Sequence, residues 1–270
     1  MQSMQSLLEV CNHASKEANE SIKDLVGKRK AYKSVYMGAD GTRTRLIDDR
    51  AEKAIFEVLK SYDNCRILSE EYGEYIPDKK PEITFVIDPL DGTYNAAHGI
   101  PFYSTSIAVG NADLSSIYFG YVKNLCTGDI YHAYKGEGAY LNGNPINTSN
   151  RKLLKNFSVS LYGYRNNVEN TLELSRKVRR VRILGSVALE LCYVACGKLD
   201  AFVDIRNSLR LIDVAAGKLI LEETNGKVTN GKGTELHLQD SVVNRLSMIA
   251  SNGHAHRDIL NFVGRKDESK

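Results

Sequence analysis

The stretch that decides the fold is Ile83-Thr84-Phe85-Val86-Ile87-Asp88-Pro89-Leu90-Asp91-Gly92-Thr93-Tyr94-Asn95. Its apolar, β-branched first half predicts a strand that delivers Asp88 at its C-terminal end. Pro89 is expected to break the ladder, and Asp91-Gly92-Thr93 to turn the chain into the next element. Two carboxylates and a hydroxyl then crowd one turn, beside the backbone N–H groups of Gly92 and Thr93. Hard divalent cations take several carboxylate and carbonyl oxygens, and N–H groups at a helix start take phosphate oxygens. Read alone, the segment is equally an Asp-Pro turn followed by a helix cap.

Outward from this stretch the pattern changes character twice. Met4, Leu7, Leu8, Cys11, Ala18, Ile22, Leu25 and Val26 keep a helical period, and so do Ala51, Ala54, Ile55, Val58 and Leu59 after Asp48-Asp49, whose carboxylates suit a helix N-terminus. Met37-Gly38-Ala39-Asp40-Gly41-Thr42, between the two helices, predicts an exposed, mobile loop. Residues 66–68, 83–87, 103–110, 116–123 and 130–134 read as a meander of antiparallel strands. Strand-like 157–161, 180–184 and 199–204 then alternate with helical 186–196 and 212–223, an α/β rhythm. The five prolines all lie between 77 and 145, which leaves both flanks free for helices. A boundary near Asn142-Gly143-Asn144-Pro145 divides an N-terminal α+β part, 1–145, from a C-terminal α/β part, 146–270.

Two more acidic clusters give the central one its meaning. Leu68-Ser69-Glu70-Glu71 ends a strand in paired acids, and Leu211-Ile212-Asp213-Val214-Ala215-Ala216-Gly217 opens a helix with an Asp among small residues. Glu70, Asp88, Asp91 and Asp213 all stand at strand ends or helix starts, where open α/β sheets place ligands. Carboxylates about 4 Å apart repel by roughly 4 kcal/mol at an effective dielectric of 20. If the four converge, cations have to offset them, and two divalent ions would create a site for in-line phosphoryl transfer to water.

Asp88-Pro89-Leu90-Asp91-Gly92-Thr93, preceded by Glu70-Glu71 and followed by Asp213-Val214-Ala215-Ala216-Gly217, resembles the inositol monophosphatase family, over about residues 5–262. Met37–Thr42 and Asp204–Asp213 resemble more narrowly its archaeal-type branch of dual fructose-1,6-bisphosphatases/inositol-1-phosphatases. The resemblance implies a layered α-β-α-β-α sandwich and a Mg²⁺-dependent, lithium-sensitive phosphomonoesterase. It implies two Mg²⁺ ions, with Mn²⁺ able to substitute: the first on Glu70, Asp88 and the Leu90 carbonyl, the second on Asp88, Asp91 and Asp213. Asp48 and Thr93 resemble the pair that orients the attacking water, and Asp40 the loop acid associated with a third metal. Asp91, Gly92 and Thr93, with the turn Gly185-Ser186-Val187, resemble the substrate-contacting backbone. Arg165, Arg182, Arg206 and Arg210 are candidates to hold a second phosphate, as fructose-1,6-bisphosphate requires.

The sequence departs from that pattern in three places. It has Ser69 where the family often has Gly, and Ile212 where it often has Trp. Its Asp204–Asp213 segment does not fit the spacing of the inositol-contacting acid in the animal enzymes. The implied substrate is a small sugar or polyol phosphate, fructose-1,6-bisphosphate or inositol-1-phosphate. Adenosine 3′,5′-bisphosphate, NADP and a non-catalytic phosphate-binding module are the alternatives. A homodimer, or a tetramer of dimers, is also implied.

Composition narrows the field. Apolar residues at 42% and charged residues at 26% of 270 exclude a disordered or coiled-coil chain. With 36 basic against 33 acidic side chains, a net +3 gives no reason to expect a nucleic acid or an acidic membrane as partner. The densest basic run, 176–182, reads as a solvated helix end or strand edge. No transmembrane segment and no secretory signal is visible, and five cysteines form an odd set without CxxC spacing; a reducing, cytoplasmic compartment is expected. Cys192 and Cys196 read as buried thiols on a core helix, and His98 as structural. A phospho-aspartate mechanism needs acids at i and i+2, but Asp88 and Asp91 are at i and i+3. Gly226–Gly233 lacks the Ser/Thr of a P-loop and follows a helix, so it reads as a turn between short strands.

Overall fold

Alternate residues of the apolar strand face two different cores, and this fixes the layers. The computed structural model describes residues 4–39, 41–62 and 64–263. Along them run α1 (Met4–Ile22), β1 (Ser34–Met37), β2 (Arg43–Arg45), α2 (Leu46–Lys60), β3 (Cys65–Ser69), β4 (Gly73–Tyr75), β5 (Ile83–Asp91), α3 (Thr93–His98), β6 (Ser104–Asn111), β7 (Ile117–Asn124) and β8 (Ile130–Tyr134). There follow β9 (Ala139–Leu141), β10 (Asn144–Pro145), β11 (Ser158–Tyr162), α4 (Val168–Lys177), β12 (Arg180–Arg182), α5 (Val187–Ala195), β13 (Ala201–Leu209), α6 (Leu211–Glu222), β14 (Lys227–Thr229), β15 (Leu246–Ser251) and α7 (His256–Phe262).

Phe85 and Ile87 of β5, with Ile107 and Val109 of β6, pack on Cys11, Ala14, Ala18, Ile55 and Leu59 of α1 and α2. The residues between them, Val86 and Ala108, face the opposite way, onto Leu189, Cys192, Ala215 and Ala216 of α5 and α6. The same period of two divides β13. Phe202 joins that second core, while Ala201 and Val203 join Leu174 of α4 and Ile259 of α7 in a third. The result is the layered α-β-α-β-α arrangement: α1/α2, an eight-stranded sheet (β10-β9-β8-β7-β6-β5-β3-β4), α5/α6, a five-stranded sheet (β12-β11-β13-β15-β14), and α4/α7. The small residues after Asp213 allow α6 its close approach: a Cβ on Gly120 of β7 would meet the Ala216 carbonyl at 2.8 Å.

Three local expectations change. The first helix stops at Ile22, and buried Leu25 belongs to the turn after it. The sheet is not all antiparallel: β4 takes the outer edge of β3, so the chain returns on the far side as β5, parallel to β3 with Cys65 opposite Ile83 and Ser69 opposite Ile87. Pro89 does not end β5. The pairing shifts between Asp88–Ser106 and Asp91–Ser104, a bulge that removes the need for a ladder N–H at Pro89. Thr105 Oγ1 donates to the Pro89 carbonyl at 2.9 Å there.

Elsewhere, β1 and β2 pair antiparallel, and the Ala39 N–H that follows β1 donates to the Glu71 carbonyl at 2.9 Å; Asp40 lies outside the described residues. The basic run ends α4 and forms the exposed edge strand β12. Within 226–233, Lys227–Thr229 is itself an edge strand, paired with β15. The cysteines are free thiols; Cys192 is buried on α5 and Cys196 half-buried at its end. No helix among the described residues is long and apolar enough to cross a membrane.

One buried group makes the fold sensitive to acid. His256, 2% exposed, hydrogen bonds through its ring nitrogens to Thr229 (2.9 Å) and Ser251 (2.8 Å), and burial pulls it from 6.5 down to about 4. Between those values the unfolded chain takes up a proton that the folded one refuses. The contribution is therefore complete above 6.5 and lost as pH falls towards 4, a change of about 3 kcal/mol. Denaturant unfolding of the wild type should steepen over that window relative to His256→Gln; parallel curves would contradict this.

Candidate active site

Each acidic side chain is brought to the site by the end of a regular element. Asp48 lies in the first turn of α2, where its Oδ2 accepts the Arg45 N–H at 3.3 Å. Asp88 and Asp91 sit on the bulged end of β5, Glu70 just beyond β3, and Asp213 in the first turn of α6. Gly92, with φ of +99°, makes the corner: a side chain there would be strained in the left-handed region and would meet the Gly185 carbonyl at 3.2 Å. Asn95 holds the corner against the second half of the chain, its Nδ2 donating to the Phe102 and Leu184 carbonyls, both at 2.7 Å.

Thr93 Oγ1 donates to Asp48 Oδ1 at 2.7 Å and lies 3.3 Å from the Leu90 carbonyl. Asp48 is buried, which pushes its carboxyl well above the usual range against the opposing Thr93 hydrogen bond; the Glu70 and Glu71 charges push the same way. Asp88, 2% exposed, accepts the Leu90 N–H at 3.0 Å. Burial first, then the charges of Glu70, Asp91 and Asp213, raise its carboxyl strongly. Asp91 accepts Ser186 Oγ (2.7 Å), the Val187 N–H (3.1 Å) and the Ala188 N–H (2.8 Å), so it caps the start of α5. Burial still raises it to about 7.

Thr93 and Asp48 are thus hydrogen-bonded to each other and Asp88 feels the charges of Glu70, Asp91 and Asp213, with two differences from expectation in the detail of the contacts. The Val187 N–H serves Asp91, as does the Ser186 hydroxyl. Arg210 is also engaged within the site: its guanidinium bridges Asp213 (Nη2 to Oδ1, 2.7 Å) and Glu70. Of the other arginines, Arg206 pairs with buried Asp204 at 2.5 Å and lies over the rings of Tyr162 and Tyr164, at 4.6 and 4.5 Å. Arg182 is exposed on β12, its Nη1 donating to the Val181 carbonyl at 2.8 Å, and Arg165 is exposed with φ of +56°. His98 is exposed, stacked on Tyr94 at 4.0 Å.

Sequence reasoning missed the supports. Glu52, one turn after Asp48 on α2, accepts Ser69 Oγ and the backbone N–H groups of Glu71 (3.2 Å) and Tyr72 (3.0 Å), and Thr44 donates to Glu71. This buried network fixes the loop carrying Glu70. The i, i+4 relation of Asp48 and Glu52 was the available signal. Glu190, fully buried on α5, accepts Ser160 and Tyr162 hydroxyls at 2.7 Å and the Leu184 N–H at 2.6 Å, and so supports the 184–186 turn.

The donor set suits a hard divalent cation: it is all oxygen, largely buried, and mutually repelling. Among the described residues no three such side chains stand in ligating geometry, and Arg210 supplies the nearby positive charge.

A layered α/β protein with acids converging from β5, α2 and α6 beside a Thr–Asp pair is thereby defined. The chain belongs to the inositol monophosphatase family, whose model matches residues 3–264. It is 42% identical over 258 residues to the fructose-1,6-bisphosphatase/inositol-1-monophosphatase of Methanothermobacter thermautotrophicus, covering 91% of this chain and 92% of that one. It is 39% identical over 282 residues to the bifunctional NADP phosphatase/NAD kinase of Methanocaldococcus jannaschii, covering 93% of this chain but 49% of that protein. The chain thus spans about half the length of the bifunctional relatives it matches. The crystal structure of an inositol monophosphatase–fructose 1,6-bisphosphatase superposes with a TM-score of 0.87 at 34% identity, covering 94% of this chain and 98% of that one.

Proposed function

We propose that the protein is a Mg²⁺-dependent phosphomonoester hydrolase acting on small sugar or polyol phosphates, fructose-1,6-bisphosphate and inositol-1-phosphate first among them. The observation that carries this is the Thr93–Asp48 hydrogen bond beside buried Asp88, which feels the charges of Glu70, Asp91 and Asp213. Glu70, Asp88, the Leu90 carbonyl, Asp91 and Asp213 would hold two divalent cations, Mg²⁺ or Mn²⁺ in its place, which when bound would neutralise charge at the phosphoryl group and acidify a water. Thr93 Oγ1, having given its proton to the hydrogen bond with Asp48, presents lone pairs to the attacking water and aims it at phosphorus. Asp48, whose buried carboxyl favours a proton, is placed to receive one from the water through Thr93. In this reading Gly92 and the 185–187 turn would contact the substrate's oxygens, and Arg165, Arg182 and Arg206 are the candidates to hold a second phosphate.

Dual phosphatase relatives covering nearly the whole chain support this reading. A second reading, NADP or adenosine 3′,5′-bisphosphate, is favoured by the 39% identity to a bifunctional NADP phosphatase/NAD kinase and by the partly exposed Tyr164 ring over Arg206. A phosphate-release panel with these four substrates, with and without lithium, decides between them. Release from the sugar and polyol esters first supports the proposal. Preference for the nucleotides moves the substrate class, and no release from any of them leaves only a phosphate-binding module. We further propose a cytoplasmic homodimer or tetramer, and a division near residue 145 in which the C-terminal part completes the site with Asp213 and Ser186; light scattering reads the assembly.

A further inference from the structure

The guanidinium of Arg210 lies among the acids themselves. Arg210 precedes α6, and its backbone N–H donates to Asp213 Oδ2 at 2.7 Å. Its Nε reaches both carboxylate oxygens at 3.2 Å, its Nη2 reaches Oδ1 at 2.7 Å, and its Nη1 donates to Glu70 Oε1. Both oxygens of Asp213 are therefore engaged by one residue, three positions away in sequence. The other anchor, Glu70, comes from 140 residues earlier, just beyond β3 of the eight-stranded sheet. The side chains are 14% (Arg210), 19% (Glu70) and 10% (Asp213) exposed, so water screens the three charges only in part. The Arg210 charge also reaches Asp88, where it opposes the repulsion from Glu70, Asp91 and Asp213.

A divalent cation drawn to Asp213 and Glu70 has to compete with the guanidinium that bridges them, because like charges at such separations repel strongly. We propose that Arg210 is a tethered counter-cation: it holds Glu70 and Asp213 together in the metal-free protein, competes there with the incoming divalent ion, and swings off both carboxylates when that ion binds. The inference rests on the assignment of these acids as metal ligands. Its consequence is a site that stays folded without metal and accepts metal less tightly than its acids alone would allow. Arg210 acts through Asp213 and Glu70 and is a positioning residue.

Calorimetric titration of the substrate-free full chain with Mn²⁺ alone tests this. Arg210→Gln should bind the ion about tenfold more tightly than the wild type. Without divalent ions the variant should melt below the wild type, and excess Mg²⁺ should close the gap. In the unmutated protein, the Arg210 Nε–H resonance should lose its carboxylate shift and exchange faster with water once Mn²⁺'s diamagnetic counterpart Mg²⁺ is added, a readout independent of how the variant folds. Equal or weaker metal binding by Arg210→Gln, or an Arg210 resonance unmoved by Mg²⁺, overturns the proposal. Asp88→Asn in the same titration separates the two claims: if that variant binds metal like the wild type, the ligand assignment fails, whereas its loss of binding with Arg210→Gln unchanged defeats only the counter-cation.

Discussion

Asp88→Asn is expected to remove activity while making the metal-free protein more stable. The side chain is buried at the bulged end of β5, and its charge is disfavoured by burial and by three neighbouring carboxylates. Its folded carboxyl lies above its unfolded value, so above the folded value the ionised form weakens the fold. Asparagine keeps the shape and can still accept the Leu90 N–H, but it carries no charge to bind a cation. Turnover should fall by at least about a thousandfold, equivalent to roughly 4 kcal/mol of transition-state stabilisation. The melting temperature measured in EDTA should hold or rise. Retained turnover, or a metal-free melting temperature several degrees lower, would show that Asp88 serves the fold instead.

Thr93→Ala is the second large effect, and it should act differently. The hydroxyl donates to Asp48 and lies near the Leu90 carbonyl, with no hydrogen bond to Asp91 or Asp213 among the described residues. Its removal should lower kcat by about a hundredfold to a thousandfold while metal affinity and substrate KM change little. Thr93→Ser should recover most of the rate, because the hydrogen bond needs only the oxygen. Asp48→Asn should match Thr93→Ala, and the double variant should lose little more than either single one, as expected of two residues working as a unit. Additive losses would mean that the two groups work separately.

Much of this was legible in short stretches of sequence. The apolar run 83–87 announced its strand, while the layering was implied by the family resemblance; in the structure Phe85 and Ile87 face one core and Val86 the other. The acids at strand ends and helix starts could be picked out one by one. Contacts distant along the chain could not be read. Nothing local to Arg210 announces Glu70, and nothing near Arg66 announces Asp240, to which it makes two hydrogen bonds at 2.7 and 2.9 Å. The bulge at Pro89 was hidden because a proline in an apolar run more often ends a strand than bends it. The helices α4 and α7 were not read from the sequence; α7, at seven residues, has too few turns to show a period. Glu190 passed as an ordinary helix acid, since burial and not spacing sets it apart.

The most direct measurement is diffraction from crystals grown with Mn²⁺, recorded at the manganese absorption edge. The account predicts anomalous density between Glu70, Asp88, Asp91 and Asp213, with the Leu90 carbonyl turned towards it and Thr93 Oγ1 still hydrogen-bonded to Asp48. Manganese bound elsewhere, or these carboxylates lying apart with no ion among them, would contradict it.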